Sequence, residues 1–190
     1  MRTEPVYRAL FENGVLQQRA QEAQGRLADC ALCPRECHVN RFVEATGFCR
    51  SGSLAVVCAW HPHFGEERPL VGSRGSGTIF FGSCNLGCVF CQNWTTSRLI
   101  EADEVVPEAL ARIMLALERR GCHNINLVTP SHIVPQILAA LVVAAGAGLS
   151  VPLVYNTSGY DSLETLALLD GVVDVYMPDI KFMRAEAAAR

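Results

Sequence analysis

From Thr78 onward, four short apolar runs alternate with helix-like segments, and this alternation limits the fold more than any other feature of the chain. The runs begin near Thr78, Asn124, Pro152 and Val172. After the first run, Leu110, Ile113, Met114 and Leu117 recur at the i, i+3, i+4, i+7 spacing of one apolar helix face. Pro107 and the acidic Asp103, Glu104 and Glu108 mark the start of that helix, and Arg119, Arg120 and Gly121 mark its end. A second helix is expected from about Pro135 to Ala145 and a third from about Ser162 to Asp170, each closed by a glycine. Near-continuous apolar strands separated by helices build a parallel sheet covered by helices, either open or curled into a barrel. Chemistry in such folds gathers beyond the carboxyl ends of the strands. The four runs lead there into residues 82–94, 129–132, 156–158 and 179–181.

The first of these rim segments carries Cys84, Cys88 and Cys91 at C-x3-C-x2-C spacing. Three thiolates are one short of the four that close an iron–sulfur cube or a structural zinc site. A cube held at three corners leaves one iron free to bind a small molecule. The spacing alone also fits half of a zinc site, or inert buried thiols.

With Phe90 before its third cysteine, this segment resembles the cluster loop of radical S-adenosylmethionine enzymes. Residues 75–81, 91–94, 124–132 and 174–181 are similar to relatives of the pyruvate formate-lyase activating enzyme, and the resemblance spans roughly residues 30 to 184. It implies an α/β fold, a partial (β/α) barrel of about four strand–helix repeats where the family barrel has six, preceded by a Cys-rich N-terminal extension. The expected division is an extension over residues 1–75 and the partial barrel over 76–190, with Ala-Ala-Ala-Arg190 reading as the start of a further helix. The resemblance also implies a 4Fe–4S cluster on Cys84, Cys88 and Cys91 with S-adenosylmethionine on the fourth iron. Reductive cleavage of that ligand would release a 5′-deoxyadenosyl radical. An electron donor such as flavodoxin or ferredoxin and a glycyl radical enzyme as protein substrate follow by the same analogy. A radical enzyme acting on a small molecule or another peptide, and a non-catalytic metal-binding or electron-transfer module, stay open beside it.

The same resemblance assigns the ligand contacts. Asp179 and Lys181 match the Asp-x-Lys segment that contacts S-adenosylmethionine, and Phe90 and Gln92 flank the adenine end. Where the family commonly carries Gly-Gly-Glu, this chain has Val128, Thr129, Pro130, Ser131 and His132, with no carboxylate. Thr129 offers a hydroxyl and a carbonyl instead, and Asn156 adds an amide from the third strand end. Ser131 and Ser158 are equally readable as helix caps, and His132 as a rim group or a packing residue.

The N-terminal third holds a second cysteine set, Cys30, Cys33, Cys37 and Cys49, at C-x2-C-x3-C-x11-C. Four thiolates this close fit a zinc site, a second iron–sulfur cluster or a small core of free thiols. Cys58 and Cys122 read as packing residues. His61 and His63, in a Gly- and Pro-rich loop over residues 61–77, read either as an ordinary polar loop or as residues that line the pocket or position a substrate. Residues 4–28 read as mostly helical with a thin apolar stripe, expected to pack weakly.

Composition narrows the partners. The chain has 190 residues, 50% apolar and 18% charged, with a net charge of −3. That balance suits a buried α/β core and offers no basic surface for nucleic acid or an anionic membrane. No apolar run approaches the ~18 residues of a spanning helix, and Met1-Arg-Thr-Glu-Pro lacks a signal-peptide core. Nine cysteines at metal-ligand spacings, an odd number, point to a reducing cytoplasm rather than a disulfide scaffold.

Overall fold

The alternation resolves into four parallel strands, β2 (Ser76–Phe81), β4 (Ile125–Val128), β5 (Leu153–Thr157) and β6 (Val175–Pro178). Between them run α4 (Pro107–Arg119), α5 (Val134–Gly146) and α6 (Leu163–Leu169). This computed structural model describes residues 4–44, 46–99, 102–184 and 186. Residues 1–3 and the expected helix start at 187–190 lie outside the described residues.

Two further strands extend the β2 edge. β1 (Ala55–His63) pairs antiparallel with β2, and the short β3 (Glu104–Val105) pairs antiparallel with β1. The sheet order is β3-β1-β2-β4-β5-β6. The strand-like run expected over residues 54–58 therefore continues through His63, and the loop expected from residue 61 is shorter, broken by α3 (Arg68–Val71). Turn-forming composition misled here: Pro62 lies on the antiparallel strand, paired with Gly77. The expected boundary at residues 75 and 76 falls between two hydrogen-bonded strands.

The helices form where the sequence supplies both face and ends. In α4, Leu110, Met114 and Leu117 are fully buried, Glu108 and Arg119 sit at the favourable ends of the dipole, and Gly121 (φ 87°) turns the chain out. The nearly all-apolar α5 needs cover on every side. α4 packs against it, with Val143 left 38% exposed, and so does α2 (Val15–Gly25).

That contact corrects the expectation of a weakly packed N-terminus. Leu16 and Ala23 of α2, and Tyr7 of α1 (Tyr7–Glu12), are fully buried in the main core. The stripe is thin because its alanines are small, and small residues let α2 approach the alanine-rich α5 closely. Burying Leu16 contributes about 1.5–3 kcal/mol. The Tyr7 hydroxyl donates to the Leu149 and Val151 carbonyls at 3.0 and 3.1 Å, and burial pushes its pKa up. The Asp174 carboxylate ties Val6 N–H (3.0 Å) to Leu153 N–H (2.9 Å).

Register brings the strand ends level. Phe80 pairs with Val128, Val128 with Asn156, and Asn156 with Met177. Everything just beyond those residues shares one rim.

Candidate functional site

The rim surrounds a cavity of about 630 Å³, within the ~300–1,000 Å³ of small-molecule sites. Cys84, Cys88, Cys91, Phe90, Gln92, Thr129, Asn156, Asp179 and Lys181 all line it. The structure thus brings together on one wall-and-floor surface every residue that the resemblance assigned to the cluster and its ligand.

The cysteine loop hangs from β2 through Ser83, which holds a left-handed φ of 74°. Thr129, at the end of β4, is similarly left-handed at 54°. Strain of this kind persists where surrounding contacts over-determine the backbone, as they do here. Ser83 N–H donates to the Thr96 carbonyl at 3.0 Å, and Thr129 N–H to the Asn156 carbonyl at 2.8 Å. Gly87 (φ 73°) has the Phe48 ring 3.0 Å from where a Cβ would lie, so both conformation and space require glycine. Two arginines hold the loop's carbonyls: Arg35 donates to Asn85 and Leu86 at 3.0 and 3.1 Å, and Arg98 donates to Gly87.

After Cys91 the chain forms a π-helical turn, Thr95–Leu99, a wide coil often found at functional sites. It sets the Ser97 hydroxyl 3.6 Å from the Cys91 sulfur. Across the cavity Lys181 donates to Asp179 at 2.6 Å. Burial works against the Lys181 ammonium, but Asp179, Cys88 and Cys91 outweigh it and raise its pKa. Burial raises the pKa of the Cys88 thiol, while Lys181 pulls it back. Phe90 is no core residue: it meets Phe182 edge-on at 6.0 Å and stays 59% exposed.

Below the rim a polar chain joins the ends of β4 and β5. Ser131 and Thr157 hydroxyls lie 3.2 Å apart, Thr157 donates to Asp161, and Tyr155 donates to Asp161 at 2.8 Å. Ser131 therefore braces strands and caps no helix. His132 is fully buried; its Nε2–H donates to the Gly82 carbonyl at 3.0 Å, and desolvation lowers its pKa to about 4. His132 is a neutral packing group behind the loop. Cys122 belongs to the main core, and Cys58 sits half-buried at a bulge in β1.

Sequence reading missed several lining residues, among them Glu66, Glu67, Ser97 and Thr96; His63, readable as a pocket residue or as part of a polar loop, lines the cavity. Glu66 accepts from Asn126 at 3.1 Å, placing a carboxylate near the β4 side of the site. β1, by pairing with β2, carries His63 and the following Glu66 and Glu67 to the site, while Thr96 and Ser97 arrive with the π-helical turn that follows Cys91.

The radical SAM superfamily model matches residues 78–186, more than half of the chain. The chain belongs to that superfamily, whose members carry a 4Fe–4S cluster and bind S-adenosylmethionine. It is 35% identical over 184 residues to the uncharacterized protein MJ0674 of Methanocaldococcus jannaschii, covering 93% of this chain and 52% of that one. A second uncharacterized protein of the same organism, MJ0808, is 26% identical over 175 residues, covering 80% of this chain and 49% of its own length. The chain thus spans about half the length of the curated relatives it matches. No solved structure matches it.

The residues fit such a cofactor pair. Among the described residues no three His, Cys, Asp or Glu side chains could hold a single ion. A cubane binds each thiolate through a different iron, so its thiols need not converge on one point. The Ser83 and Ser158 hydroxyls, both lining the cavity, are buried without partners among the described residues, as expected of groups awaiting a polar ligand. No helix among the described residues is long and apolar enough to cross a membrane.

Proposed function

We propose that this chain forms the cluster-bearing part of a partial (β/α) barrel enzyme similar to glycyl-radical-enzyme activases, with the cluster on Cys84, Cys88 and Cys91. The observation that supports it most is the convergence of those thiols with Asp179 and Lys181 on one 630 Å³ cavity. When bound, the cluster and S-adenosylmethionine supply a single electron and a 5′-deoxyadenosyl radical for hydrogen abstraction.

In this reading the chain's own groups bind and orient. Lys181, held cationic by Asp179, stands by the thiolates and attracts the ligand's carboxylate. Asp179 and Asn156 offer oxygens and an amide to its hydroxyls and amine. Thr129 takes part of the task that Gly-Gly-Glu performs elsewhere. Phe90 and Gln92 bracket the adenine. Phe80, Phe81 and Val128, the apolar residues of the cavity wall, exclude water from the reacting end.

A glycine on a partner protein is the substrate in this reading, and a flavodoxin or ferredoxin in a reducing cytoplasm is the electron source. An apolar mouth supports a macromolecular substrate: Val89, Phe90, Trp94, Ile180 and Met183 are all exposed near the rim. Anaerobic reconstitution followed by assay for 5′-deoxyadenosine tests the core of the proposal. Product formation should require both reductant and S-adenosylmethionine. Its absence from protein with full cluster occupancy overturns the reading.

A further inference from the structure

Residues 26–54 link α2 to β1 with no helix or strand among the described residues. A stretch that long holds its shape only with a reason. Its own apolar core is small: Leu27, Cys30 and Leu32, with Val39 against them. Around that core, Cys30, Cys33, Cys37 and Cys49 line a single cavity with Arg35, Arg41, Asn85 and His132.

Arg41 is the informative neighbour. It is 2% exposed, and no carboxylate pairs with it among the described residues. Its donors reach the Ser51 (2.9 Å), Gly52 (2.9 Å) and His132 (2.7 Å) carbonyls, and its Nη1 faces the Cys30 sulfur at 3.9 Å. A buried guanidinium satisfied only by neutral acceptors keeps an uncompensated charge, which is expensive. Four thiolates around a divalent ion, or around an oxidised cubane, carry a net charge of about −2 and supply the missing anion. The sulfurs are already solvated by donors, with Phe48 N–H 3.5 Å from the Cys37 sulfur. Two buried side chains that line the cavity, Asn85 and His132, each keep a polar atom without a partner among the described residues.

We infer that Cys30, Cys33, Cys37 and Cys49 form a closed four-thiolate site for a thiophilic transition metal, with Arg41 as its charge partner. The site also positions the Cys84 loop. Arg35, two residues after Cys33, holds the Asn85 and Leu86 carbonyls at 3.0 and 3.1 Å and lies 3.7 Å over the Phe48 ring next to Cys49. Cys49 and Cys84 both line one further cavity. Metal in the first set therefore fixes the platform on which the second set stands. Zinc and an iron–sulfur cube share this chemistry. As the chain stands without metal the four sulfurs do not meet at one point, so either occupant draws the loop together around itself.

The test uses the full chain with Cys84, Cys88 and Cys91 all replaced by Ala, purified without oxygen. Zinc, iron and sulfide are then counted per chain, and sulfur ligation is read by X-ray absorption. Retention of about one zinc, or about four iron with four sulfide, on four sulfur ligands supports the site and says which metal it takes. Adding Cys33→Ser should reduce that content to background. Cys49→Ser, at a half-exposed position, should do the same in chains whose circular dichroism is unchanged. A triple variant that retains no metal after reconstitution with zinc and with iron plus sulfide overturns the inference, whatever the fate of the catalytic proposal. With the three alanines reverted, Arg35→Gln should leave the four-thiolate metal in place while altering the paramagnetic resonance signal seen on adding S-adenosylmethionine. An unaltered signal refutes the positioning role.

Discussion

The two cysteine groups of this chain stand on different kinds of support. Cys84, Cys88 and Cys91 follow a core strand and open onto a wide polar cavity. Cys30 and Cys33 are each 8% exposed, in a segment without regular structure, behind a buried arginine. On the assignments proposed above, the contrast separates reactivity from scaffolding. Donors at the mouth of a cavity leave room for an incoming ligand, whereas donors sealed under a small core do not. Arg35, beside the Cys30 group, donates to the Asn85 and Leu86 carbonyls of the loop that carries the Cys84 group.

The sharpest way to break the comparison is Cys88→Ala. It should abolish the spectral response to S-adenosylmethionine and 5′-deoxyadenosine formation together, measured by paramagnetic resonance and chromatography. Persistence of both would mean that the open group is not the cluster site. Next in size is the difference in support. Leu127→Ala, under the open group's rim, should cost about 2–5 kcal/mol in denaturant unfolding. Leu32→Ala, in the small core, should instead release the amides of residues 27–41 to hydrogen exchange well before global unfolding. Equal protection in both regions would erase the distinction.

His132 lies between the groups, lining the four-cysteine cavity while bonding the Gly82 carbonyl ahead of the trio. Its folded pKa of about 4 is below its ordinary 6.5, through burial and the neighbouring Arg41. A depressed imidazole stabilises the fold above pH 6.5, and that contribution drains away as pH falls towards 4. The loss is about 3 kcal/mol in all. His132→Gln should flatten stability over that window, read from denaturant midpoints in metal-free protein; an unchanged slope would place the titration elsewhere. The smallest effect on stability belongs to Lys181→Met. Breaking its partly exposed pair with Asp179 should change stability by about 0–1 kcal/mol while weakening S-adenosylmethionine binding by calorimetry. Unchanged binding would remove Lys181 from the site.

Much of this was legible along the chain. Period 3.6 in residues 110–117 and the apolar runs of β2, β4 and β5 located the central sheet and its helices, because burial on one face or both leaves a direct mark on composition. The cysteine spacings were legible for the same reason that they are chemical: a loop places its own ligands. Less visible were α2 as a core helix, since alanines that permit close packing look like a weak stripe, and β1, whose Pro62 and neighbouring glycines resemble a loop. Arg41 gave no signal at all.

Sequence by itself determined the strand–helix rhythm, the superfamily and which thiols lie within a few residues of one another, since these depend on local spacing and on burial pattern. Only the tertiary structure decided that Asp179 and Lys181 share a cavity with Cys88, that Arg35 grips the Cys84 loop, and that Arg41 is sealed without a carboxylate among the described residues. Those contacts join positions tens of residues apart. Strand register and helix packing set them, and neither is written in the neighbourhood of any single residue.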